Sequence, residues 1–82
     1  MAKADKGSYQ DTLWQKAERR VAASTKLGEE GRFAEARAGF AEAAKLFGRA
    51  GDDVAVAQCM HAVGVLFIAE DEAALALGVF EP

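Results

Sequence analysis

The stretch GRFAEARAGFAEAAKLF, residues 31–47, sets small residues and aromatics at regular intervals and decides the fold class. Its apolar positions recur every three or four residues and are Phe33, Ala36, Phe40, Ala43 and Phe47. Charged side chains fill many of the positions between them, so the pattern predicts an amphipathic helix with one face in a core. Together with a composition that is 51% apolar and contains one proline, this helix predicts an all-α domain.

Glycines and acidic residues mark the ends of the other helices. Gly28 and Gly31 end a first helix and Gly51 ends the second, while acids at 52–53 and 70–72 are interpreted as N-terminal caps. The predicted helices run from about Asp11 to Leu27, from Phe33 to Arg49, from Asp52 or Asp53 to Ala69 and from Asp71 to Phe80. Residues 1–10 are expected to form a flexible lead-in to one domain, residues 11–82.

The interior of these helices carries further packing signals. Gly39, Gly64 and Gly78 each cost about 1 kcal/mol relative to alanine inside a helix, and close approach of another helix would compensate for this cost. Trp14 is interpreted as a core residue over the start of the first hairpin rather than as an interface anchor. The apolar run 54–69 falls short of the roughly 18–20 residues of a membrane span, so we expect a buried helix there.

A shift of about 40 residues brings the second half of the chain onto the first. The aligned pairs are Ala22 with Ala62, Ser24 with Gly64, Leu27 with Phe67, Glu30 with Glu70, Ala34 with Ala74, Ala36 with Ala76 and Phe40 with Phe80. A fixed period in this range is typical of stacked helical hairpins.

The repeated positions resemble the tetratricopeptide repeat (TPR), in the longer-helix variant found in kinesin light chains. The matching residues are Ser24, Leu27, Gly31, Phe33, Ala36, Phe40 and Ala43, and then Gly64, Phe67, Ala76 and Phe80. The resemblance implies antiparallel helical hairpins, with four helices in two repeats at about 11–50 and 52–82, as a fragment of a right-handed α-solenoid. Arg20, Asp71 and Ala73 depart from the family pattern, and a plain antiparallel four-helix bundle is the alternative fold.

The resemblance also implies a concave groove, lined by the first helix of each hairpin, that holds a peptide or a partner's helix. The corresponding residues are Glu18, Val21, Thr25, Gln58, His61, Val65 and Ile68. This face lacks the lysine, asparagine and arginine that would hold an acidic C-terminal tail. An apolar or amphipathic segment is therefore the expected ligand.

The fourth predicted helix has no polar face and would end the stack uncovered. Helical repeat proteins usually need about three repeats and a polar cap, so Leu75, Leu77, Val79 and Phe80 are predicted to mediate self-association. The predicted function is a non-catalytic protein-protein interaction module, or adaptor, that binds a peptide or helix and forms oligomers. The alternatives are an obligate structural subunit, a small chaperone-like component of an assembly, or a segment of a longer repeat array.

Other classes of function lack the residues they need. Every lysine and arginine lies at or before Arg49 and the net charge is −3, so a nucleic-acid partner is not expected. Cys59 has no second cysteine to pair with, which favours the cytoplasm. Because Cys59 and His61 are two residues apart on a helix, they cannot readily share a metal. No nucleophile-base pair or phosphate-binding glycine motif is present, so no enzyme activity and no cofactor are predicted. No membrane span is predicted either, because the apolar run 54–69 is too short for one.

Overall fold

A computed structural model describes the backbone of residues 2–78 and the side chains of residue 9 and residues 11–78. This part of the chain forms three helices: α1, Ala2–Glu29; α2, Phe33–Ala50; and α3, Asp53–Ala76. Helix α2 packs along both α1 and α3, whereas α1 and α3 barely touch each other. The protein is therefore all-α, with α2 between the other two helices.

The prediction of four helices in two repeats is wrong for the described residues. Helix α3 continues to Ala76 through the point at which a turn was expected, so residues 70–72 lie inside α3 and cap nothing. The physical reason is that Asp71 stands where a turn would need glycine, and neither glycine nor proline occurs between Gly64 and Gly78. The four-helix bundle fails for the same reason, and residues 79–82 of the predicted fourth helix lie outside the described residues.

The two turns form where the glycines predicted them. Gly31 and Gly51 have φ angles of 81° and 84°, in the left-handed region that a residue without Cβ adopts at least cost. Helix α1 differs from the prediction at its start, because it begins at Ala2 rather than near Asp11. Helix α3 begins after the N-cap Asp52, whose Oδ1 accepts a 3.0 Å hydrogen bond from the backbone N–H of Ala55. The capping interpretation is thus confirmed for Asp52.

The core is built on the predicted face of α2. Phe40, Ala43 and Phe47 are buried there, with Ala17 supplied by α1 and Cys59 by α3. The apolar face predicted from residues 31–47 is therefore the face of α2 on which α1 and α3 pack.

Gly39 confirms that a glycine marks close helix packing, and Gly64 does not. A Cβ built on Gly39 would lie 1.9 Å from Ser24 Oγ, so α1 and α2 approach too closely there for a larger residue. A Cβ on Gly64 would meet no atom within 4 Å. Gly78 lies beyond the end of α3, with a φ of 73°, rather than inside a helix.

The prediction that the third helix is buried is also wrong. Of the described α3 residues, only Ala55 and Cys59 are buried. Val54, Ile68 and Leu75 are 69%, 62% and 62% exposed. Helix α2 covers one side of α3, and no other described helix covers the rest.

Candidate functional site

A groove runs between α1 and α3, with α2 as its floor. Because α1 and α3 each run antiparallel to α2, they run parallel to each other, and the space between them follows the length of α2. Two cavities succeed one another along this space, and Phe40 of α2 contributes to both. We call the two cavities together the α1–α3 groove.

The narrow cavity lies toward the first half of α3 and the wide cavity toward its middle. The narrow cavity measures about 120 Å³ and is lined by Glu18, Val21, Phe40, Phe47, Ala55, Gln58 and Cys59. The wide cavity measures about 430 Å³ and is lined by Ser24, Thr25, Gly28, Glu29, Phe40, His61, Ala62, Val65 and Leu66. Most of the lining side chains are thus apolar. Of the polar ones, Ser24 is buried, and the others are exposed: Glu18, Thr25, Glu29, Gln58 and His61.

The structure brings most of the predicted groove residues together. Glu18, Val21 and Gln58 line the narrow cavity, and Thr25, His61 and Val65 line the wide one. Ile68 lines neither cavity. It lies two and a half turns after the buried Cys59 and so points away from α2. That a partner occupies the groove stays a prediction.

Sequence reasoning assigned the floor of the groove to the core alone. Phe40 and Phe47 are predicted as core residues of α2; both are buried, and both also line the narrow cavity. Leu66 lines the wide cavity from α3.

The residues predicted to mediate self-association are only partly described. Leu75, near the end of α3, is 62% exposed, and Leu77, which follows the helix, is 80% exposed. Val79 and Phe80 lie outside the described residues. Whether these side chains join copies of the chain stays a prediction.

Trp14 and Asp52 join α1 to the start of α3 at one end of the groove. The Trp14 indole Nε1–H donates a 3.1 Å hydrogen bond to Asp52 Oδ2, and its ring stands edge-on to Phe47 with centroids 6.1 Å apart. Because the carboxylate also accepts from the Ala55 N–H, these hydrogen bonds, the backbone one first, lower the pKa of Asp52. The prediction that Trp14 is a core residue is wrong, since 41% of it is exposed.

Arg37 links α2 to the second half of α3. Its guanidinium forms an ion pair with Glu70 and lies 4.1 Å from the centroid of the Phe67 ring. Glu70 therefore serves a contact between helices, which explains why an acid occurs in the middle of an apolar helix. Together with the Trp14–Asp52 contact, this pair holds α3 in place at both ends.

The titratable groups of the groove do not form a reactive set. Burial, and then the nearby Glu18 carboxylate, raise the pKa of the Cys59 thiol, which keeps it protonated near neutral pH. Among the described residues, no group of three or more His, Cys, Asp or Glu side chains could hold a metal ion. The groove offers contact surface rather than activated groups.

Comparison of the chain with protein-family models, with curated proteins and with solved structures yields no match. Within the described residues, α3 is long and apolar enough to cross a membrane by length and composition alone, with a mean hydropathy of 1.4 and 11% of the window buried. The argument that the apolar run is too short for a span therefore does not apply to the observed 24-residue helix.

Proposed function

We propose that the protein is a non-catalytic protein-protein interaction module that holds a partner helix or peptide in the α1–α3 groove and self-associates through α3. The observation that carries the groove proposal is that two neighbouring, mainly apolar cavities lie between α1 and α3 and share Phe40 of α2. Concave apolar surfaces with a few polar groups at the rim are the usual form of such sites. The resemblance to tetratricopeptide repeats agrees with this use of the groove and stays a prediction.

The chemistry of the groove favours an amphipathic ligand with basic or neutral polar residues. Glu18 and Glu29 are the charged residues that line the two cavities, and neither lysine nor arginine lines them. The cavities are offset by about one helical turn, roughly 6 Å, as measured by the four residues from Val21 to Thr25. A bound helix would place one apolar side chain in each cavity and a lysine or arginine near each glutamate.

A lipid bilayer is a poorer occupant than a protein for this face of the molecule. Insertion of α3 would draw in α2, which packs along it and carries Arg37, Glu42, Lys45 and Arg49. Near the C-terminal end of α3, anionic headgroups would meet the carboxylates of Glu70, Asp71 and Glu72. We therefore propose no membrane span.

The second candidate function, an obligate subunit or small chaperone-like component of an assembly, is favoured by the exposure of α3. Val54, Ile68 and Leu75 are each more than three fifths exposed on a helix whose uncovered side is otherwise nearly free of charge. Such a surface is typical of a chain that is completed by another protein. This candidate shares the self-association of the first and differs by needing no ligand in the groove.

Selection of peptides from a random helical library on the immobilised protein tests the groove. Selected peptides should carry two apolar residues one turn apart and at least one basic residue. Their binding should be lost in Val65→Glu, which charges the wide cavity, and kept in Ala34→Glu, an exposed position of α2 that lines neither cavity. Equal binding by both variants would contradict the groove proposal.

A further inference from the structure

The side of α3 that points away from α2 carries a regular alternation of large and small residues. At intervals of three and four residues it presents Val54, Ala57, His61, Gly64, Ile68, Asp71 and Leu75, all of them exposed. We call these residues the outer stripe. Such spacing keeps one seam on a helix over about 32 Å, long enough for three heptads against another helix.

Gly64, at the middle of the outer stripe, makes no close contact with another helix within the part of the chain that the structure describes. A side chain there would meet nothing within 4 Å, yet glycine weakens a helix interior relative to alanine. At Gly39, by contrast, the small residue is explained by the approach of Ser24. The described helices thus give no packing reason for the glycine, and the open space beside Gly64 leaves room for a side chain from outside the chain.

From this stripe we infer that two copies of the chain pair through α3 in antiparallel orientation, with the two-fold axis beside residue 66. The inference rests on the self-association proposed above and specifies its partner, its face and its direction. In this register the stripe positions from Ala57 to Leu75 each face the position equally far from residue 66 on the other side. Ile68 then packs over the partner's Gly64, and Leu75 packs over the partner's Ala57.

The same register pairs the polar members of the stripe with each other. His61 faces the partner's Asp71, so an imidazole N–H can donate to the carboxylate. By symmetry this contact occurs twice, once at each side of the axis. Charge complementarity and the match of large with small residues thus select one arrangement.

Other arrangements place an acid against an apolar residue or against another acid. A parallel pair would set each Asp71 against the other and would stack Gly64 on Gly64, which leaves a gap. Moving the antiparallel pair by one heptad sets Asp71 against Val54 in one direction and against Ile68 in the other. Burial of a carboxylate without a partner is costly, so these registers are disfavoured.

The pairing leaves the α1–α3 groove accessible in part, because the outer stripe lies on the opposite side of α3 from Cys59 and Leu66. His61 is the residue that the stripe shares with the wide cavity. A dimer would therefore present two grooves, one on each copy.

The first test is the absolute mass of the whole chain by light scattering over a dilution series, with Gly64→Leu as the variant. This change favours the helix in the free chain, where the site is open. In the dimer, each added leucine side chain occupies the space that the partner's Ile68 would fill, so both symmetric contacts are lost. The dimer dissociation constant should rise by about 100-fold, roughly tenfold for each of the two contacts. Ala34→Leu, which adds the same side chain at an exposed site of α2, should leave the mass unchanged, and circular dichroism should show undiminished helix in both variants.

The second test fixes the orientation by exchange of charge. His61→Asp alone places two carboxylates opposite each other, and Asp71→Lys alone removes the carboxylate that accepts from His61, so each should weaken the dimer by about tenfold or more at low salt. The double variant restores opposite charges only in the antiparallel register, and its dissociation constant should return to within about threefold of the original. In a parallel dimer the double variant would retain like-charge pairs and stay weak.

The outcomes separate this inference from the function on which it rests. A wild-type chain that is monomeric at every concentration overturns both the proposed self-association and the antiparallel pair. Sedimentation of that monomer with phosphatidylcholine vesicles would then identify a bilayer as the surface that covers α3. A dimer that Gly64→Leu leaves intact, or that the double charge variant fails to restore, overturns the antiparallel pair while the self-association stands.

Discussion

Replacement of Trp14 by alanine measures how firmly α1 is held against the start of α3. The side chain is 41% exposed, so a little under three fifths of it is covered, mainly by its edge contact with Phe47. Truncation of a fully buried tryptophan costs about 3–5 kcal/mol, and scaling by the covered fraction gives about 2–3 kcal/mol. For a domain of this size such a loss lowers the melting temperature by roughly 8–24 °C.

The assay is thermal unfolding followed by circular dichroism, with urea unfolding as a second measure. Because dimer formation would add stability by mass action, wild type and variant are both compared in the Gly64→Leu background. Trp14→Phe, which keeps an aromatic ring on Phe47 and loses the N–H donor to Asp52, should fall between wild type and alanine.

Two results would refute this reasoning. A loss below about 1 kcal/mol would mean that the Trp14 contacts are not held in solution, since even a surface residue away from special features changes stability by up to about 0.5 kcal/mol. A loss above about 4 kcal/mol is the cost of a fully buried tryptophan and would mean that the original assignment of Trp14 to the core describes the folded chain better.

The remaining predictions concern the helix contacts and the two groups with shifted pKa values. Gly39→Ala should destabilise the fold by about 1–3 kcal/mol through overpacking. Ser24→Ala should relieve part of this loss, because it removes the Oγ that lies 1.9 Å from the added carbon. Calorimetry of the two single variants and the double variant measures both effects. Hydrogen bonds lower the pKa of Asp52 in the folded chain. The contribution of Asp52 to the free energy of unfolding is therefore complete above the usual carboxyl pKa of about 3.9, and it is lost as the pH falls through the lower pKa of the folded state. The urea midpoint should therefore drop between pH 5 and pH 3, and drop less in Asp52→Asn. Since burial raises the pKa of Cys59, alkylation by iodoacetamide at pH 7.5 should be slow and should accelerate when urea unfolds the chain.

The sequence predicts the hairpin of α1 and α2 well because every local signal there agrees. The apolar face of α2, the glycines at both of its ends and the close contact at Gly39 each point to the same packing, and each is found. The N-cap at Asp52 is equally local, since the carboxylate needs only the free N–H of Ala55. Interactions between residues that are close in sequence can thus be predicted from the local sequence pattern.

The prediction of a second repeat is wrong because no helix-terminating residue stands where the repeat requires a turn. The alignment of Phe40 with Phe80 requires a turn near residue 70, and the residues that stand there are good helix formers. Glu70 looked like the start of a helix and instead pairs with Arg37, a contact that links positions 33 residues apart. A contact of this sequence separation cannot be derived from periodicity, so the length of α3 could not be predicted from the local pattern.

Six of the seven predicted groove residues line the two cavities although the four-helix fold used to derive them is wrong, and the binding of a partner there stays a prediction. A groove between α1 and α3 requires only that both helices pack on α2 in the same direction, and this holds with three helices as well as with four. Ile68 is the exception, because on a straight helix the apolar face drifts by about 20° per heptad, and by position 68 the face has turned away from α1. The same drift places Ile68 in line with Leu75 on the outer stripe.

Three features of α3 that are unfavourable in an isolated chain have one common explanation in a pair. Ile68 and Leu75 are exposed to water. Among the described residues, Gly64 weakens the helix without easing any contact, and Asp71 interrupts an apolar surface without an ion pair, whereas Glu70 pairs with Arg37. Selection for stability of the monomer alone would remove each of them, since alanine at 64 and polar residues at 68 and 75 would serve it better. An antiparallel second copy gives all of them a partner: Ile68 fills the space at Gly64, Leu75 covers Ala57, and Asp71 accepts a hydrogen bond from His61.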